Sequence, residues 1–216
     1  MKAWAGLARV TVPFVAEVTL ATAEAPWELW DASGRDAPPF WAFPWAGGQA
    51  LARYVLDNPG VVRGKRVLDV ASGSGLVAIA AAKAGAAAVT ATDIDPDALA
   101  AIAGNAAANE VAVDVRHLDM ESAAGADTVG ADTGGADVVL AADVFYQREL
   151  AATALAFLRA AAAGTGAGVL VADPGRAFVP RDRLRPVAAY QIPVLAAIED
   201  VGVKTVTVYR LAGGCR

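Results

Sequence analysis

The chain has 216 residues, 56% of them hydrophobic and 19% charged, which suits one domain with a large core and excludes a mostly disordered chain. A net charge of −5 is the wrong sign for a generic nucleic-acid binder, and the single cysteine, Cys215, excludes an internal disulfide and points to a reducing compartment. Alanine accounts for 54 residues, so the hydrophobic fraction overstates the supply of large core side chains, and Leu, Ile, Val and the aromatics must be read apart from it.

Met1 to Ala23 has a basic start and a small-residue Ala21-Thr22-Ala23, but Arg9, Pro13 and Glu17 interrupt the apolar core that a signal peptide needs. No uncharged apolar run approaches the roughly 18 residues of a membrane helix. A soluble, cytoplasmic protein with no membrane contact is expected. Residues 1 to about 40 read as strand and loop, and Gly48 to Asp57 as a helix ended by Asn58-Pro59-Gly60.

From Lys65 onward, apolar runs of strand length alternate with alanine-rich helical stretches. Strands are expected at Arg66 to Val70, Ala88 to Thr92, Val111 to Arg116, Val138 to Ala142, Gly168 to Asp173 and Thr205 to Arg210. Helices fall between them at Leu76 to Ala84, Pro96 to Asn109 and Gln147 to Ala163, with Asp95 as the N-cap before Pro96. This alternation predicts an α/β fold, a doubly wound and mostly parallel sheet with helices on both faces and a ligand crevice at the carboxyl ends of the strands. A single domain over 1–216 is expected, with residues 1–60 as an N-terminal extension and helix and 61–216 as the Rossmann-like core. Gly125 to Asp137 is a low-complexity stretch expected to form a solvated loop; Asp127, Asp132 and Asp137 recur at fives, but no closing Glu follows, so no metal site is assigned.

The densest chemical signal is Val67-Leu68-Asp69-Val70-Ala71-Ser72-Gly73-Ser74-Gly75-Leu76, a strand running into a glycine-rich turn that opens a helix. Gly73 and Gly75 allow a ligand to approach the backbone. One strand later Asp93 ends its strand, where its carboxylate can accept hydrogen bonds from both hydroxyls of a ribose. Together these specify a nucleoside cofactor. Gly73-Ser74-Gly75-Leu76-Val77-Ala78 also satisfies the dinucleotide fingerprint, so a nicotinamide competes with S-adenosylmethionine (SAM). Asp69 favours SAM, because a carboxylate opposes a pyrophosphate and suits the cationic amino-acid end of SAM.

Asp69-x-Ala71-x-Gly73-x-Gly75 with Asp93 resembles the first two motifs of the class I, seven-stranded SAM-dependent methyltransferases. Ala71 stands where that pattern usually has glycine, so it must either adopt a negative φ or accept strain, and its methyl must point away from the ligand. Phe40-Trp41-Ala42-Phe43-Pro44-Trp45-Ala46-Gly47-Gly48-Gln49-Ala50-Leu51, Asp143-Val144-Phe145-Tyr146 and Asp173-Pro174-Gly175-Arg176 resemble the electron-transfer-flavoprotein β-subunit lysine methyltransferase family, over nearly the whole chain.

The resemblance implies that Asp69, Ala71, Ser72, Gly73 and Gly75 surround the methionine end of SAM, that Asp93 and Ile94 hold ribose and adenine, and that Asp119 with Met120 meets the adenine edge. Trp45 would pack beside the cofactor. The implied reaction is an in-line displacement in which a lysine amine attacks the sulfonium methyl, with Asp143 orienting the amine and Tyr146 walling the channel. The implied partner is a protein substrate such as the electron-transfer-flavoprotein β subunit. A small-molecule N-methyltransferase of the nicotinamide methylase type and a catalytically silent module with the same fold remain as alternatives. Arg176 is read either as part of a tight turn or as a contact for an acidic patch on a partner, and His117 as structural.

Overall fold

The computed structural model describes residues 7–23, 29–31, 34, 38–124, 133–194 and 202–212; Asp127, Asp132 and Cys215 lie outside them. Strands β1 (Leu7–Val12) and β2 (Val15–Ala23) form an antiparallel hairpin. Then come a 3-10 turn (Phe40–Ala42), α1 (Ala46–Asp57), β3 (Arg66–Val70), α2 (Leu76–Lys83), β4 (Ala88–Asp93) and α3 (Pro96–Ala108). The chain continues through β5 (Asp114–His117), α4 (Met120–Ala124), β6 (Val138–Ala142), α5 (Arg148–Thr165), β7 (Gly168–Asp173), β8 (Leu184–Pro193) and β9 (Val203–Leu211).

Seven strands make one sheet in the order β5-β4-β3-β6-β7-β9-β8, parallel from β5 to β7, with β9 antiparallel to both β7 and β8. The order reverses between β3 and β6, which pair in parallel. Such a switch point opens a crevice at the carboxyl ends of the strands, because the crossovers on either side lead to opposite faces.

Both faces of the sheet are covered, and the side-chain alternation shows it. Val138 and Leu140 of β6 and Leu170 and Ala172 of β7 join the cluster packed under α1 and α2, while Val139, Ala141, Val169 and Val171 join the cluster packed under α5. A strand buried on two sides has no polar face to show, so it reads as a continuous apolar run. Most expected elements therefore lie within a few residues of their predicted limits. Asp95 caps α3 as expected, its carboxylate accepting from Asp97 N at 2.9 Å.

Three differences have physical reasons. The expected strand Val111 to Arg116 is the short edge strand β5 (Asp114–His117), because Val111 N bonds back to Ala106 O and finishes the turn after α3. Strand β8 (Leu184–Pro193), the seventh of the sheet, went unread because it is an edge strand with mostly exposed or half-buried residues and carries Pro186 and Pro193. Prolines are tolerated there because an edge strand has one side without ladder bonds. The helix α4 (Met120–Ala124) is a single turn set off by its own acidic cap, too short to leave a period. No helix of the described residues is long and apolar enough to cross a membrane.

Candidate active site

The crevice is built by strand ends. Asp69 lies at the end of β3, Asp93 ends β4, Asp143 follows β6 and Asp173 ends β7. Asp119 follows β5.

Asp69 is buried, at 1% exposure, beneath the glycine-rich turn. Its Oδ2 accepts from Ser72 Oγ at 2.5 Å and from Ala78 N at 3.0 Å. Ala78 is in the first turn of α2, whose N-cap is Gly75, a residue with no side chain to cap it, so Asp69 satisfies a helix N–H that would otherwise be unpaired. Burial pushes the Asp69 carboxyl up to about 7; Ser72 and Ala78 oppose that rise and the charge of Asp93 adds to it. Asp69 thus supports the loop from below.

Ala71 takes φ 52, so of the two expected outcomes the strained one holds. Its methyl packs against the apolar cluster that contains Val70 and Phe145, on the core side of the turn. Gly73 (φ 56) and Gly75 (φ 84) also need the left-handed region, and a Cβ on Gly75 would sit 3.3 Å from Ile102 of α3. Gly73 N donates to Asp93 Oδ2 at 2.9 Å, and Asp95 N to Asp93 Oδ1 at 3.0 Å. Ile94 N also acts on this carboxylate, and lone pairs remain on it for the hydroxyls of a ribose. Burial raises its pKa. Beside it Ile94 is 59% exposed, an apolar surface at the crevice edge suited to a flat base.

Asp119 caps α4, its Oδ1 accepting from Glu121 N at 2.9 Å and its Oδ2 from Ser122 Oγ at 2.8 Å, and these bonds hold its pKa low. Met120 packs against the α5-side core. His117 is exposed at the end of β5.

The aromatic pair divides. Trp41 is buried with Phe43, Ala98 and Ala101, whereas Trp45 is half-buried, donates from Nε1 to Phe40 O at 2.7 Å and packs on Phe40 and Phe43 with centroids 5.9 Å away. Phe40, 41% exposed, also meets Tyr146, 40% exposed, at 5.7 Å. Trp45, Phe40 and Tyr146 form an aromatic wall across the mouth. Burial raises the Tyr146 pKa above its ordinary value, so it remains a phenol at neutral pH.

Asp143, on the same loop as Tyr146, takes φ 58. Its Oδ1 accepts from Arg176 Nη1 at 2.5 Å and its Oδ2 from Gly48 N at 2.9 Å, the latter an N–H in the first turn of α1. A Cβ at Gly47 would come within 2.7 Å of the Asp143 carboxyl carbon, so only glycine lets the carboxylate approach the helix. Arg176 Nη1 also reaches Asp173 Oδ2 at 3.2 Å, and Asp173 Oδ1 accepts from Gly175 N and Arg176 N, both at 2.7 Å. The tight-turn reading of Asp173 to Arg176 therefore holds. The reading of Arg176 as a contact for an outside partner does not, since its guanidinium turns inward to two carboxylates. What sequence reasoning missed is the role of Gly47, Gly48 and Arg176 around Asp143, although all three stand in the quoted motifs.

The residues fit SAM: a glycine cradle, an acid with free lone pairs for a ribose, an exposed apolar edge and a carboxylate-rich rim that opposes phosphate. The family description "Ribosomal protein L11 methyltransferase (PrmA)" matches residues 49–172. Among solved structures, magnesium protoporphyrin IX methyltransferase from Synechocystis PCC 6803 with bound SAM superposes with TM-score 0.53 at 13% identity, over 76% of this chain and 78% of that one. A Streptococcus mutans protein described as SAM-dependent gives TM-score 0.58 at 12% identity, over 95% and 56%. Sheet order, crevice and family match define a class I SAM-dependent methyltransferase.

The electron transfer flavoprotein beta subunit lysine methyltransferase of Xenopus laevis is 36% identical over 175 residues, 79% of this chain and 68% of that protein. The human protein of the same name is 37% identical over 192 residues, 84% and 67%. The chain belongs to this family of lysine methyltransferases.

Proposed function

We propose that this enzyme transfers methyl groups from SAM to lysine ε-amines of the electron-transfer-flavoprotein β subunit. The observation that carries the reading is the meeting, in one crevice, of the Gly73–Asp93 cradle with the Asp143 carboxylate and the aromatic wall of Phe40, Trp45 and Tyr146.

SAM, held by Ser72, Gly73, Gly75, Asp93 and Ile94 with Trp45 alongside, supplies a methyl already activated by its sulfonium. The chain's own work is placement. Phe40 and Tyr146 offer an apolar wall to the four methylenes of a lysine, and the half-enclosed mouth disfavours the ammonium form over the neutral amine that must attack. Asp143 accepts an N–H of that amine and fixes the direction of its lone pair, and Tyr146, still a phenol, offers a second hydrogen bond. Alignment of this kind supplies a large share of the acceleration in a bimolecular transfer. Asp69 and Asp119 support the loops behind the cradle.

Incubation with SAM and the flavoprotein β subunit, followed by peptide mass analysis, tests the reading. Methyl-lysine on that subunit is the expected result. Methyl found only on a small molecule such as nicotinamide would replace it with the small-molecule reading.

A further inference from the structure

The Asp143 carboxylate has spent both oxygens on protein donors, one of them a guanidinium, and that arrangement needs an explanation beyond turn geometry. Its backbone is in the left-handed region, which for a residue other than glycine persists only where surroundings hold it. What holds it is visible. Among the described residues, the groups that face the carboxylate are Arg176 and Asp173 from the end of β7 and Gly48 N from the start of α1. Arg176 is the sole cation of that set. The Asp143 and Arg176 side chains are only 12% and 22% exposed, so their pairing is poorly screened by solvent.

We propose that Arg176 is a positioning residue that locks Asp143, ionised and aimed along one direction, at the face where the acceptor amine arrives. This rests on the reading of Asp143 as the group that receives the amine. A single Arg176 nitrogen, Nη1, bonds both carboxylates, Asp143 and Asp173, and leaves the trio with one net negative charge. That charge would balance the positive charge that develops on the amine nitrogen as the methyl is transferred to it. Asp173, fixed by two backbone N–H groups, anchors the guanidinium, and the guanidinium in turn fixes Asp143. A lysine in place of Arg176 would keep the charge but present it on a flexible stem, without the rigid guanidinium plane that sets Nη1 between the two carboxylates. Burial alone would favour the protonated Asp143 carboxyl, and the Arg176 charge opposes it.

The test compares the parent enzyme with Arg176→Gln and Arg176→Lys. Carbon NMR of labelled aspartate, with the Asp143 signal assigned by Asp143→Asn, reads the ionisation directly. Removing the opposite charge in Arg176→Gln should raise the Asp143 titration midpoint by at least about one pH unit. Its kcat should fall roughly a hundredfold at neutral pH, as expected when a reacting pair is misplaced, while affinity for S-adenosylhomocysteine stays within about threefold. The ratio of variant to parent kcat/KM should climb with pH and level off once Asp143 ionises. Arg176→Lys should restore the midpoint but not the full kcat.

An unmoved midpoint in Arg176→Gln, or a variant-to-parent ratio flat across pH, overturns the proposal, because a merely structural defect lowers the rate equally at every pH. If Arg176→Gln fails to bind S-adenosylhomocysteine, Arg176→Lys decides: full parental kcat would overturn the positioning role. If the parent enzyme methylates no lysine, the functional reading falls, and the carboxyl titration alone still tests the ionisation lock.

Discussion

Burial keeps the Asp69 carboxyl protonated to about pH 7 in the folded chain, against an ordinary aspartate value of about 3.9. Between those limits the folded state binds more protons than the unfolded one, so the stability this group contributes is present below about pH 4 and is lost as pH rises to about 7. Asp69→Asn keeps an oxygen for Ala78 N and removes the titration. We expect its stability to vary less between pH 4 and 7, by up to about 4 kcal/mol, and the variant to be the more stable at pH 8. Urea unfolding across pH checks this, and parallel curves for the two proteins would refute it. Ala71 supplies a second residue-level prediction from its positive φ. Strain of about 1–2 kcal/mol in an L-residue there is offset on change to glycine by the greater freedom of the unfolded chain, so Ala71→Gly should alter stability by less than about 1 kcal/mol. A β-branched residue has no such compensation, and Ala71→Val should cost about 1–3 kcal/mol, read by the same unfolding.

At the level of elements, the hairpin and the glycine loop are joined through α3. Asn105, buried, accepts from Ala21 N of β2 at 2.9 Å and donates to Ser74 O of the loop at 2.8 Å, while Asn109 accepts from Thr19 N at 3.0 Å and donates to Thr19 O at 2.6 Å. These side chains complete part of the open edge of β2. Asn105→Ala leaves the Ser74 carbonyl without that donor and should cost about 1–3 kcal/mol in denaturant unfolding. The same variant should bind S-adenosylhomocysteine several-fold more weakly by calorimetry, since the loop loses its rear support; unchanged affinity would separate hairpin from loop. None of this could be read from the chain, because an asparagine that bridges three elements has no local signature. What could be read was local or periodic: the buried strands β3, β6 and β7, the Asp95 cap, and the glycine turn followed one strand later by Asp93. Strand β8 escaped because its two prolines and exposed residues imitate a loop. The bonds that Asp69 and Arg176 make escaped for a further reason. Their types were noticed, but direction and burial decide whether a charged group faces a ligand or a neighbour, and those depend on contacts 33 residues away in the case of Arg176 and Asp143.

The whole molecule places its strand-end acids, Asp69, Asp93, Asp119, Asp143 and Asp173, around one end of the sheet, because each parallel strand delivers its carboxyl terminus to the same edge. Arg176 is the one cation bonded to any of them within the crevice among the described residues. A rim of this sign meets a sulfonium and a lysine favourably and a pyrophosphate unfavourably. A single phosphate charge about 6 Å from one ionised carboxylate is disfavoured by roughly 3 kcal/mol at an effective dielectric constant near 20, more than a hundredfold in affinity. Two phosphate groups facing more than one acid would lose more, and Arg176 is already engaged by two of the carboxylates. The glycine turn alone therefore does not decide between nucleotide cofactors, although its spacing admits both. Calorimetric titration should show SAM and S-adenosylhomocysteine binding and NAD weaker by at least about a hundredfold. Comparable affinity for NAD would mean that the acids are neutral in the folded chain, and a repeat at pH 9, where even the Asp69 carboxyl is ionised, should then weaken NAD selectively.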